Sequence, residues 1–251
     1  MDFQDDIMRN TVHLNPLDVS GMPCGMGSGC LVRCGGIKLL LSVSHLLRAT
    51  HQWNLHVKSY PPPRYTQAYQ FGAPTTVKRL SLSNARKVSL DFFAVPIPDE
   101  VTPIHQEVRG IHAIIDGAAK RVFEFDEITE PSSSEEYAFF GLTQGLQAGV
   151  LFECVPIHVS RLKFCGENQR SLIFELPYAH PGHDFFKGCS GAPIVDSRGR
   201  LVSLVQSGSL RSNRVLGYPL SKYAAAIAAI SMEHTPHDDF MPSTNQTSIP
   251  S

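Results

Sequence analysis

Gly188-Cys189-Ser190-Gly191-Ala192-Pro193-Ile194-Val195 holds a serine between two glycines and follows it with a proline and a strand-like apolar pair. Flanking glycines let the backbone turn sharply and let another molecule come close, so the pattern presents the hydroxyl rather than packing it. A serine hydroxyl attacks a carbonyl at neutral pH only when a positioned base takes its proton and a carboxylate orients that base. A histidine ends the apolar run Leu41-Ser42-Val43-Ser44-His45, and an aspartate opens one in Leu90-Asp91-Phe92-Phe93-Ala94-Val95. Seen singly, His45 is a core histidine at a strand end, Asp91 a turn cap and Ser190 a turn serine. Together they supply base, orienting acid and nucleophile, and a carboxylate beside Leu90, Phe92 and Phe93 needs such a partner to offset its desolvation.

Chain order narrows the fold. The same geometry occurs on unrelated folds in different orders, and histidine, then aspartate, then serine is the chymotrypsin-type order. The nucleophile elbow of α/β-hydrolases does not fit, because Gly-x-Ser-x-Gly is broken at Ala192 and too little chain follows Ser190 to supply a later acid and histidine. With Gly27-Ser28-Gly29-Cys30-Leu31-Val32 ahead of the other motifs, residues 20–222 resemble a trypsin-like (chymotrypsin-fold) serine protease. The resemblance implies an all-β fold: two six-stranded antiparallel β-barrels side by side, the active site in the cleft between them, and a C-terminal helix. It implies a serine endopeptidase working through an acyl-enzyme, with His45, Asp91 and Ser190 catalytic. The oxyanion hole falls in Gly188, Cys189 and Ser190, with the N–H groups of Gly188 and Ser190 as donors. The alternative is a catalytically silent protease-fold module that holds a peptide or serves as a scaffold.

Cys189 departs from the resemblance. Secreted relatives carry an aspartate there that pairs with a new N-terminal amine, and this chain has neither that aspartate nor the matching Ile-Val-Gly-Gly start. The site is therefore expected to be preformed, or ordered by an activating protein partner or a ligand. The thiol at 189 reads as a small apolar filler, since a cysteine nucleophile would have to stand at 190. Cys30 resembles one half of the disulfide that staples the histidine loop in secreted relatives, but Leu46 stands where its partner would be, so that bridge is expected to be absent. Asp184 lies six residues before Ser190, the spacing at which relatives preferring Arg or Lys carry the pocket carboxylate, although the neighbouring Lys187 could neutralise it. Gln206-Ser207-Gly208 resembles the segment that lines the pocket and pairs with substrate backbone, and Gly217 is expected as the opposite wall. His180 and His183 are read as a surface loop rather than a metal site, because no ligand set accompanies them.

The bulk properties set the limits. In 251 residues, 42% apolar and 18% charged content suits a soluble globular protein, and a net charge of −1 offers no electrostatic case for nucleic acid or an anionic membrane. The acidic start Met1-Asp2-Phe3-Gln4-Asp5-Asp6 lacks the basic and apolar regions of a secretory signal, so a cytoplasmic location is expected. The six cysteines form no Cys-x-x-Cys pair and read as reduced thiols. No cofactor or metal is implied, and the expected partner is a protein or peptide substrate.

Short apolar runs separated by turn residues suggest a barrel or sandwich. Cys30–Cys34 and Ile37–Val43 flank Gly35-Gly36 as a hairpin, with further strands at 53–57, 76–80 and 92–97 and the loop Pro61-Pro62-Pro63 between the first two. A second set is expected at 137–141, 149–155, 157–162, 171–176, 192–196 and 201–206, the last two joined by the turn Asp196–Arg200. The alanine-rich stretch 221–230 reads as a helix with Ser221 near its start. The expected organisation is an N-terminal surface arm (1–19), a first barrel with His45 and Asp91 (20–125), a second barrel with Ser190 and the helix (126–232), and a disordered tail (233–251). Residues 98–136 are read as the loop crossing between the barrels.

Overall fold

A computed structural model describes residues 7–48, 52–60, 65–81, 86–109, 113–148, 151–182, 184–209 and 212–234. Strands β1 (Val12–Leu17), β2 (Gly27–Cys34), β3 (Ile37–Ser42), β4 (Gln52–Tyr60), β5 (Tyr65–Phe71), β6 (Thr75–Ser81) and β7 (Arg86–Pro96) build the N-terminal half. The hairpin expected at Gly35-Gly36 is present: Cys34 faces Ile37, and φ values of +56° and +83° at the two glycines match a type I′ turn.

The strands run in the order β5-β4-β1-β2-β3-β7-β6, in an eight-stranded sheet completed by a parallel pairing of β10 (Val122–Glu124) with β2. This differs from the closed six-stranded barrel expected for the first half. The two edges, β5 and β6, are joined by the covalent link Gly72-Ala73-Pro74 instead of a ladder, and a proline there has no N–H to continue one. The expected N-terminal arm is also corrected. Residues 12–17 are a strand between β2 and β4, with Val12 and Leu14 fully buried; Pro16 and the polar His13 and Asn15 mask the alternating pattern in the sequence.

The stretch read as a loop crossing contains a hairpin of β8 (Ile104–Arg109) and β9 (Ala113–Ala119), whose mixed composition conceals it. Strands β11 (Glu136–Ala148), β12 (Leu151–Glu167), β13 (Leu172–Glu175), β14 (Pro193–Asp196), β15 (Leu201–Ser209) and β16 (Arg214–Pro219) close the C-terminal barrel in the order β11-β12-β13-β16-β15-β14. Two expected strands merge into β12 through Pro156. The proline is tolerated because it faces only β11; β13 pairs with β12 further on, at residues 163–167. In the β14–β15 turn, buried Asp196 accepts the N–H groups of Arg198 at 2.9 Å and Arg200 at 2.8 Å, and the Arg200 guanidinium at 2.7 Å.

Ser221–Tyr223 forms a 3-10 turn that leads into α1 (Ala224–Glu233). Ser221 therefore lies one turn ahead of the helix and does not cap it; Tyr223 holds the cap position without a side-chain bond. Ile227 and Ile230 join one apolar cluster with Leu41, Val43 and Phe92 of the N-terminal half and Phe140, Val195, Leu204 and Tyr218 of the barrel. Phe92 stacks on Tyr218 at 5.4 Å across that boundary. Burying these side chains contributes roughly 1.5–3 kcal/mol each, which fixes the two halves against each other where the candidate site lies. No helix among the described residues is long and apolar enough to cross a membrane. Residues 235–251, most of the expected tail, and the Pro61-Pro62-Pro63 loop lie outside the described residues.

Candidate active site

The buried strand β3 ends at Ser42, and Ser44–Arg48 turn into a 3-10 segment that carries His45 over β7. Asp91 lies on β7 and receives four hydrogen bonds. His45 donates its main-chain N–H to Oδ1 at 2.8 Å, and its Nδ1 meets Oδ2 at 2.8 Å. The Ser44 hydroxyl reaches Oδ1 at 3.2 Å, and the Gln206 side-chain amide reaches Oδ2 at 3.1 Å. An ionised carboxylate only accepts, so Nδ1 of His45 carries a proton at this contact, and Nε2 is the ring nitrogen free to act as an acceptor. Burial alone would raise the Asp91 carboxyl, but the hydrogen bonds and charge of His45, with Gln206, outweigh it and hold the group down to about 2.

Ser190 is set by a loop in which successive N–H groups alternate. Cys189 N–H bonds the Phe186 carbonyl at 3.0 Å and Gly191 N–H bonds the Val205 carbonyl at 2.7 Å. Among the described residues, the N–H groups of Gly188 and Ser190 bond no acceptor. Gly188 has φ +106° and Gly191 φ +88°, conformations that disfavour a side chain. Both are also crowded: a Cβ on Gly188 would lie 2.5 Å from the Leu142 carbonyl, and one on Gly191 would collide with the Ser28 carbonyl. Ser28, quoted above only as part of a motif, fastens this loop to β2. Its hydroxyl bonds the Gly188 carbonyl at 2.8 Å and its N–H the Ser190 carbonyl at 2.9 Å. The contact joins residues 160 apart, which no local sequence pattern reveals.

His45, Asp91, Gly188 and Ser190 line one cavity of about 700 Å³, together with Asp184, Gln206, Ser207 and Gly208. Among the described residues, His45 Nε2 and Ser190 Oγ are not hydrogen-bonded to each other. The structure changes several individual roles. Cys189 is not an oxyanion donor, since its N–H is already bonded; its side chain is fully buried, and burial pushes the thiol up to about 12. Gln206, expected to bind substrate, lines the cavity but turns its side-chain amide to Asp91. Val215 lines the cavity where Gly217 was expected; Gly217 is packed instead against Ser203 and Phe174. Asp184 and Lys187 line the cavity from exposed positions, whereas Phe139, Val205 and Val215, which also line it, are buried. His180, expected on a surface loop, also lines the cavity; its Nδ1 accepts the Gly182 N–H at 3.1 Å and its ring packs edge-on to Phe186 at 5.1 Å. His183 lies outside the described residues. The described residues contain no cluster of His, Cys, Asp and Glu able to hold a metal.

No protein-family model matches the chain, and no curated protein matches it by sequence. Solved structures do match it in shape. A scabies mite inactivated protease paralogue superposes with TM-score 0.56 at 11% identity, over 91% of this chain and 95% of that one. Neuropsin, a serine protease expressed in the limbic system of mouse brain, gives 0.54 at 12% identity, over 89% and 95%. Human heparin binding protein gives 0.54 at 8% identity, over 92% and 94%. The chain has the chymotrypsin fold of the trypsin-like serine proteases.

Proposed function

We propose that this chain is a serine endopeptidase. One observation carries the proposal: two unbonded N–H groups, of Gly188 and Ser190, flank the candidate nucleophile in the cavity that also holds the His45–Asp91 pair. Ser190 Oγ attacks the scissile carbonyl while His45 Nε2 takes its proton. The Gly188 and Ser190 N–H groups receive the developing oxyanion, a contribution of roughly 3 kcal/mol per donor. His45 then gives the proton to the leaving amine, and the acyl-enzyme is hydrolysed by the same steps with water as nucleophile. Asp91 stays ionised throughout and stabilises the imidazolium, in keeping with its depressed pKa.

Of the side chains that line the cavity with Ser190, Phe139, Val205 and Val215 are buried and apolar and Phe186 is half-buried, whereas Asp184 and Lys187 are exposed. A P1 ammonium or guanidinium packed against those buried apolar side chains would lose hydration, with the carboxylate of Asp184 exposed rather than buried beside it. We therefore assign a large apolar or aromatic P1 residue in place of the basic one suggested by Asp184. Cleavage of a peptide library by the purified protein tests both parts. Cuts after Phe, Tyr or Leu that disappear in Ser190→Ala support them, and cuts confined to Arg and Lys would overturn the pocket assignment.

The silent-module reading keeps one specific support, the unformed His45–Ser190 hydrogen bond. Such bonds are often loose before substrate binds and tighten in the complex. Activity that emerges only with a second protein present would mark a partner-ordered protease, and a folded protein that binds peptides without cutting them would mark the silent module.

A further inference from the structure

We propose that Ser171 is a remote positioning residue for the candidate catalytic aspartate, Asp91, acting by anchoring the far end of the Gln206 side chain. This role rests on the serine peptidase reading of His45, Asp91 and Ser190.

A side-chain amide has two faces of opposite polarity and can flip between them. If Gln206 turned its oxygen toward Asp91, two acceptors would face each other and the carboxylate would lose a donor. The observed orientation is the favourable one, with Nε2–H donated to Asp91 Oδ2 at 3.1 Å. The far side of the amide explains why it is held. Ser171 donates its hydroxyl to Gln206 Oε1 at 2.6 Å, so the amide is held at both ends and the side chain is kept from swinging off Asp91, while the carboxylate, which only accepts, sets the face that the amide presents.

Ser171 is itself fixed. It is 5% exposed, and it closes a turn in which the Asn168 side chain accepts its N–H at 2.8 Å and its carbonyl accepts the Asn168 N–H at 2.9 Å. The resulting chain, Ser171 to Gln206 to Asp91 to His45, runs from the start of β13 through β15 into β7 and the histidine turn. It thus ties the carboxylate of one half of the molecule to a rigid turn of the other. Ser171 does not line the cavity, so it touches neither substrate nor the reacting atoms.

The test uses the full chain with Ser171→Ala, Ser171→Thr as the hydroxyl-restoring control, and the parent. Two readouts are taken: steady-state kinetics on a peptide substrate, and the low-field proton NMR signal of the His45 Nδ1–H that bridges to Asp91. The second needs no activity, so it separates failure of this relay from failure of the peptidase reading. Ser171→Ala is expected to free Gln206 and lower kcat about tenfold with KM within about twofold, the size expected when the Asp91 carboxylate loses its hydrogen bond from Gln206. It is also expected to shift or broaden the bridging proton, and Ser171→Thr is expected to restore both. An unchanged bridging proton in folded Ser171→Ala would overturn the proposal. So would equal losses in the alanine and threonine variants, which would mark a packing role.

Discussion

Replacing Gly188 by alanine strikes the proposed oxyanion donor without touching the proposed nucleophile, base or acid. At φ +106° any L-residue is strained, and the added Cβ would stand 2.5 Å from the Leu142 carbonyl oxygen, where ordinary contact begins at 3.4 Å. Both atoms belong to the backbone or are fixed to it, so no rotamer relieves the clash and the loop must retreat by roughly 1 Å, a misplacement that by itself can cost about 100-fold in rate. Backbone strain adds roughly 1–3 kcal/mol against the folded state. Losing one oxyanion donor costs about 3 kcal/mol of barrier, so kcat/KM should fall about 100- to 1000-fold. The assay pairs steady-state kinetics on a peptide with thermal denaturation, so that a folded but slow enzyme is distinguished from an unfolded one. A folded Gly188→Ala protein within about threefold of the parent would refute the assignment of this N–H as a donor.

Further outcomes follow from other parts of the molecule. Asp91→Asn should cut kcat by about 10⁴ with little change in KM, because the histidine would then settle in the wrong tautomer; a loss below tenfold would separate Asp91 from the chemistry. Cys189 is buried with its thiol pushed up to about 12, so iodoacetamide should leave native activity intact, and Cys189→Ala should keep kcat within a few-fold; inactivation that tracks Cys189 modification would contradict this. Away from the site, His13 is held down to about 3 by burial and then by the charges of His56 and Lys120, and His56 to about 4 by burial and Lys120. Both stay neutral in the folded state while the unfolded chain protonates them near 6.5. The contribution of the two histidines to stability should therefore be full above that pH and fall below it, by at most about 2 kcal/mol per histidine at pH 5. Urea denaturation at pH 7.5 and pH 5 measures this, and equal stability at both values would refute it.

The sequence made some parts of this architecture plain and concealed others for physical reasons. The Gly35-Gly36 turn, the order of His45, Asp91 and Ser190, and the strands on either side of Asp196–Arg200 are local patterns, each carried by adjacent residues. The strand at Val12–Leu17 was hidden because its polar positions and Pro16 resemble a surface segment, although its fully buried Val12 and Leu14 place it inside the sheet. The β8–β9 hairpin escaped because its residues lack a clean alternation of apolar and polar side chains. Within the site, the chemical groups were legible but their division of labour was not. Which N–H of Gly188, Cys189 and Ser190 stays unbonded depends on Phe186 and Val205 carbonyls placed by the fold. The turn of Gln206 toward Asp91 joins residues 115 apart, and its far end meets Ser171, 35 residues earlier. Ser28 illustrates the same limit, since its grip on the nucleophile loop exists only once β2 and the barrel meet.

The central claim is that Ser190 is an activated nucleophile, and covalent labelling tests it most directly. Folded protein is incubated with a fluorophosphonate, alone and with peptide substrate or a candidate partner protein present, and the modified residue is located by peptide mass spectrometry. A stoichiometric adduct is expected on Ser190, absent in Ser190→Ala and formed far more slowly in Asp91→Asn and Gly188→Ala. Folded protein that gains no adduct at Ser190 under any of these conditions would contradict it.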